Sequence, residues 1–241
     1  MSERRMARAA IGVPLAVALT LTAACLPEEG TNPDGSAASP SAANGIDKLK
    51  PTDAFKRATD ATLSARSVRV RAKVKDAEAG TIHLDFTYAG RDRAKGTMRI
   101  GDQKVEMIKI GKEEYQKGNK AFLKETGGNQ AVSAFSGMWM KTTQKGGSGF
   151  GALTGLGDLE GLLKEMEEGG LEGWTTGKPG NTAGAPSVPL NGAGEQIHLA
   201  AEGPPYVLRM SDGTDYFDFL SYDKPVTIKR PPARLVVDTS G

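Results

Sequence analysis

Apolar and polar residues alternate strictly over residues 67–75 (SVRVRAKVK), where Val68, Val70, Ala72 and Val74 interleave with Arg69, Arg71, Lys73 and Lys75. A period of two places one set on each side of a strand, so one face is buried and the other meets water. Residues 81–88 repeat the pattern with Ile82, Leu84, Phe86 and Tyr88, and the break at 77–80 predicts an antiparallel hairpin. Residues 96–100, 103–110 and 112–117 continue as strands, punctuated by Gly101-Asp102 and Gly111, which predicts a meander. Residues 122–126 read as a further strand ended by Gly127-Gly128, and 130–135 as a short helical turn.

Two segments carry the helical period instead. In residues 51–63 (PTDAFKRATDATL), Phe55, Ala58, Thr59 and Thr62 recur on one face. Pro51 suits a first helical position because its missing N–H has no partner there, and Asp53 sits near the positive end of the dipole. In residues 153–168, Leu159, Leu162, Leu163 and Met166 form a stripe opposite Glu160, Lys164, Glu165 and Glu167. Asp158 is placed to cap this helix and Gly169-Gly170 to stop it. The GGSGFG run before it follows no βαβ unit, so it reads as a loop and not a phosphate cradle. After a turn-rich stretch at 177–194, strands return at 196–200, 206–210, 214–221 and 225–229, and Leu235-Val236-Val237 closes the chain.

The sum is α+β, a long antiparallel sheet with helices that must bury their stripes against it. Eight to ten strands curl or close rather than stay flat. A curved antiparallel β-sheet with helices covering the concave face is therefore the expected architecture, and such a sheet can enclose an apolar hollow. Val70, Leu84, Phe86, Met98, Ile100, Leu153, Leu162 and Met166 are the candidate lining residues; ordinary core packing is the competing account of each.

A second hydrophobic signal lies at the start of the chain. Residues 11–25 (IGVPLAVALTLTAAC) follow Arg4, Arg5 and Arg8, and end in small residues and the single cysteine, Cys25. A charged start, a short apolar run and a small-residue cut form the layout of an export signal; the run is shorter than the roughly 20 residues that span a bilayer. A lone cysteine in an exported chain has no disulfide partner within it. Residues 1–24 thus read as a signal peptide, 25–46 as a lipidated cysteine with a disordered Pro/Gly/Ser/Ala tether, and 47–241 as the folded domain. Thr22 stands where a lipoprotein signal prefers Leu, with Leu21 one position further out. The expected product is anchored to the outer face of the cytoplasmic membrane by a diacylglyceryl-cysteine.

Of the 31 Lys and Arg, three precede Cys25, and of the 29 Asp and Glu, one does, so the remainder is formally neutral. A neutral body argues against bulk nucleic-acid binding. His83 and His198 sit opposite the apolar face of their strands with no metal-ligand spacing around them. No nucleophile elbow or P-loop occurs. No enzyme, cofactor or metal is expected, and the Arg69–Lys75 row reads as a solvated sheet face. Trp139 and Trp174 read as packing residues.

The order of these features resembles the mycobacterial-type lipoproteins LppX, LprA, LprF and LprG, whose fold is similar to the carrier LolA. The resemblance is carried by the cysteine signal and tether, the helix before the Val-rich strand, residues 115–141, the insert ending Leu162-Leu163, residues 205–209 (PYVLR), and Pro225-Val226 with Pro231-Pro232. It implies a half-barrel whose helices cover the concave face, and an apolar lipid or acyl ligand bound or shuttled inside. The alternative function on the same fold is an interaction or sensory module, similar to the N-terminal domain of RseB-type stress sensors, with the basic stripe meeting a partner.

Overall fold

The structure, a computed structural model, describes residues 42–143, 156–168 and 170–239. The signal, Cys25, most of the tether and the GGSGFG loop lie outside the described residues.

Helix α1, Pro51–Ser64, opens on proline and buries Phe55, Ala58, Thr59 and Thr62, the face its period marks, together with Ala54. Strands β1 (Ser67–Asp76), β2 (Gly80–Ala89), β3 (Arg93–Ile100), β4 (Gln103–Ile110) and β5 (Glu113–Gly118) form the expected meander. Helix α2 (Lys120–Phe135) and β6 (Trp139–Thr143) follow, then α3 (Leu159–Glu168). The second half adds β7 (Thr175–Thr176), β8 (Gly180–Thr182), β9 (Ala185–Asn191), β10 (Glu195–Ala200), β11 (Val207–Asp212), β12 (Asp215–Leu220) and β13 (Val236–Asp238). Among the described residues these strands form one sheet, in the order β13-β6-β5-β4-β3-β2-β1-β12-β11-β10-β9-β7, with β8 also on β9. Every pair is antiparallel except β13 with β6. The two halves of the chain meet at β1 and β12, where Val70 lies opposite Phe219 and Ala72 opposite Phe217.

One face of this sheet is covered. Phe55 and Ala58 of α1, Phe122 of α2 and Leu159 and Leu163 of α3 share a single apolar cluster with Val68, Val70, Phe86, Met98, Val105, Met107, Met210 and Phe219 of the sheet. Thr62 ties α1 down: its hydroxyl accepts the Val207 N–H at 3.0 Å, while the Tyr222 hydroxyl donates to the Val207 carbonyl. A helix hydroxyl at a buried position thus satisfies backbone that the end of the β11 ladder leaves unpaired.

Three segments depart from the sequence reading. Residues 122–126 are not a strand but the first turns of α2. The Asn119 side chain accepts the Phe122 N–H at 3.0 Å and donates to the Asp102 carbonyl at 2.7 Å, so an asparagine cap starts a helix where apolar content suggested a strand. Gly127-Gly128 kink the helix instead of ending it, with Gly128 at φ 64°. The turn-rich stretch holds β8 and β9; its prolines, Pro186 and Pro189, disguised a strand whose Val188 and Leu190 are fully buried.

Residues 225–229 form no strand. Asp223 accepts the Arg66 N–H at 2.8 Å beside the start of β1, and Arg230 reaches Glu113 at the start of β5 at 2.8 Å. Ser67, Ala89, Arg93, Ile110 and Glu113 are successive cross-strand neighbours. The segment therefore crosses the strands along one end of the sheet on its way to β13, and a chain running across strands cannot join their ladder.

The uncovered face is laced with ion pairs. Arg69 forks onto Asp85, Glu106 holds Lys104 and Lys117, and Glu113 holds Lys141 and Arg230. Arg69 holds the Asp85 carboxyl below the ordinary range, Arg230 and Lys141 do the same for Glu113, and the Tyr206 hydroxyl with the Arg66 amide does so for Asp223. At Glu106 burial pulls upward, yet the two lysines win and its value is also lowered. Groups with lowered folded values stabilise the fold fully above the unfolded carboxylate range of about 4, and that contribution is lost as pH falls through the folded values. The thermal midpoint is expected to stay level from neutral pH to about 5 and to drop steadily below about 4. A midpoint unchanged down to about pH 3 would contradict this account.

Candidate functional site

The register resolves the covered face into rows of side chains that cross the sheet. One row runs Ile197, Met210, Phe217, Ala72, Leu84, Met98 and Val105. A neighbouring row runs Phe219, Val70, Phe86, Gly96 and Met107. At Gly96 there is no room for a side chain: a Cβ would overlap the Phe86 ring and sit 2.6 Å from the Asp85 carbonyl oxygen. Phe86 fills the space that the glycine leaves. At one end of this face the buried side chains turn polar, with Lys109 opposite Glu114 and Gln116 beside them. Toward the other end the apolar side chains are only half-buried: Ile82, Leu84, Ile100, Leu162, Trp174 and Phe217 pack against the cluster while keeping surface exposed.

A hollow of about 290 Å³ opens at this second end. Its floor is Ile197, Met210 and Phe217 on β10, β11 and β12, and its cover is Gly170, Leu171 and Trp174, just past α3. Trp174 is held in place by Gly192, in the turn between β9 and β10, where any Cβ would overlap the indole. Gln196, Ser211, Glu195, Asp212 and Asp215 complete the wall. The apolar floor and cover provide burial for hydrocarbon, while the polar groups collect at one rim.

The described residues singled out from sequence lie in the core or against it, and not in this hollow. Val70, Phe86 and Met98 are buried in the core, and Leu84, Ile100 and Leu162 are half-buried against it. Leu84 and Met98 share the row of the hollow's floor, but none of these six lines the hollow itself. Leu153 and the Met166 side chain lie outside the described residues. The sequence reading does not single out the lining residues Leu171, Ile197, Met210 and Phe217, and it gives Trp174 only as a packing residue. Three of them lie on segments that the sequence reads as strands, and the pairing of β12 with β1 brings them beside the row that continues through Leu84.

Among the described residues no group of His, Cys, Asp and Glu is arranged to hold a metal ion. His198 bonds the Thr182 hydroxyl through Nδ1 at 2.9 Å; burial, and then the neighbouring Arg209, lower its pKa. His83 is exposed. Tyr88 donates to the Leu156 carbonyl at 2.6 Å, and burial raises the pKa of its hydroxyl, so it serves as a neutral tie between β2 and the approach to α3. In the basic stripe, Arg69 is taken up by Asp85, and Arg71 has Asp85 and Asp218 as its two cross-strand neighbours. Trp139 lies on the uncovered face under the Lys117 ammonium, 4.8 Å from the ring centre.

No protein-family model matches the chain, and no curated protein does. Among solved structures the chain is similar to LprF from Mycobacterium bovis, at 13% identity and a TM-score of 0.46, over 79% of this chain and 99% of that one.

Proposed function

We propose that this chain is a non-enzymatic envelope lipoprotein, anchored through Cys25 to the outer face of the cytoplasmic membrane, that binds or shuttles an apolar acyl ligand in a LolA/LppX-like half-barrel. The observation that carries the reading is the hollow of about 290 Å³ between Trp174 and Leu171 on one side and Ile197, Met210 and Phe217 on the other. It is near the lower end of the size of small-molecule sites, about 300 Å³. Each methylene moved from water into such surroundings contributes about 0.8 kcal/mol, so even one chain end is held appreciably. The half-buried Ile82, Leu84 and Ile100 extend the greasy surface along β2 and β3 beyond the hollow. A tether behind a lipidated cysteine would keep this opening close to the bilayer from which such a ligand comes.

The test uses the full chain carrying Cys25→Ser, so that any lipid mass is non-covalent. Native mass spectrometry after expression in a lipid-rich host is expected to show an adduct of acyl-lipid mass, and the stripped protein should take up a fluorescent fatty-acyl probe. Bare protein mass together with no probe uptake would overturn the carrier reading.

A further inference from the structure

The rim of the hollow carries charge of one sign. Glu195, Asp212 and Asp215 line it, and among the described residues no Lys, Arg or His does. The three are successive cross-strand neighbours, Glu195 opposite Asp212 and Asp212 opposite Asp215. They lie two residues along from Ile197, Met210 and Phe217, and so on the same face of the sheet as the apolar floor. Asp215 accepts the Lys75 backbone N–H at 3.1 Å, but the Lys75 side chain is exposed and alternates to the uncovered face. Like charges directly opposite one another weaken a sheet. Here three of them line one side of a cavity whose cover includes an indole, and an aromatic face attracts a cation.

We propose that the hollow selects an amphiphile with a cationic, amine-bearing head, the hydrocarbon lying on Ile197, Met210 and Phe217 and the ammonium group at Trp174 and the three carboxylates. The inference rests on the apolar-ligand reading above and adds the sign of the head group. The cavity defines the site and the carboxylates set its preference. An ammonium group is matched in kind by this rim, whereas a carboxylate or phosphate head would face three like charges at the same distance from the floor.

The test is displacement of the bound acyl probe by three compounds with one tail and different heads: dodecylamine, dodecanol and dodecanoate. The full chain with Cys25→Ser is used, at concentrations below micelle formation. Dodecylamine is expected to displace the probe at about a tenfold lower concentration than dodecanol, with dodecanoate weaker than both. High salt should narrow the gap, since the rim is exposed and its charges are screened. In the Glu195→Gln, Asp212→Asn, Asp215→Asn variant the ratio between the dodecanol and dodecylamine displacement concentrations should fall severalfold, toward the small preference that the Trp174 indole alone supplies. Neutralising the rim removes repulsion, and the single Asp212→Asn change at an exposed position offers a milder step with a smaller loss. Equal displacement by all three compounds, or an amine preference undiminished by neutralisation, overturns the head-group assignment and leaves the apolar-ligand reading standing. Displacement by none of them overturns the head-group assignment, and failure of the probe itself to bind overturns both.

Discussion

Phe86→Ala is expected to destabilise the protein by about 3–5 kcal/mol, the range for deleting a large buried aromatic ring. Total stabilities of domains run to about 5–15 kcal/mol, so the loss should be plain in a denaturant titration. Phe86 is 2% exposed and stands in the centre of the covered face, between Val70 of β1 and Gly96 of β3. Its ring supplies the packing that Gly96 cannot, because the backbone approaches too closely there for a Cβ. The same contact makes a second, coupled expectation. Gly96→Ala should be costly in the native background and less so once Phe86 is Ala, since one of its two overlaps has gone. The Asp85 carbonyl remains 2.6 Å from the new Cβ, so the relief is partial. Equal costs in both backgrounds would show that the ring and the glycine do not pack as a unit.

Cys25→Ser is expected to abolish stable membrane attachment of the processed protein. One acyl chain gives only marginal, reversible membrane binding, and a firm hold needs a second chain or another signal. A diacylglyceryl-cysteine supplies two chains at one sulfur, and serine lacks the thiolate that forms the thioether. Among the described residues no helix is long and apolar enough to cross a membrane. Cell fractionation should find the variant in the medium, or as the uncut precursor at its larger mass. Processed protein that still pellets with membranes as before would remove the lipid anchor from the proposal, while leaving the hollow untouched.

Much of the architecture was legible because side-chain direction is a local property. The alternation in β1 and β2 foretold which residues face the covered side, and the register keeps Val70, Phe86 and Leu84 there. The period of α1 marks four residues of its buried face, Phe55, Ala58, Thr59 and Thr62, and the structure adds Ala54. Where the local signal was mixed, the reading slipped for identifiable reasons. Phe122 and Leu123 are adjacent apolar residues, a pattern as common in strands as in helices, and the deciding contact is the Asn119 cap. Prolines in β9 masked a strand that pairs with β10. Pro225 to Lys229 alternates like a strand, yet its course across the end of the sheet leaves it nothing to pair with.

By itself the sequence determined the α+β class and the faces of α1 and of the meander, since each follows from neighbours a few residues apart. Only the tertiary structure decided which strand lies beside which. Lys75 and Asp215 are 140 positions apart in the chain, yet the pairing of β1 with β12 joins them. That pairing sets Phe217 next to Ala72 and turns the inward residues of two separate hairpin runs into one continuous floor. The physical reason is that backbone hydrogen bonds are alike at every residue. Alternation therefore fixes the face a side chain takes, but the partner strand is chosen by how the whole apolar surface can be covered at once.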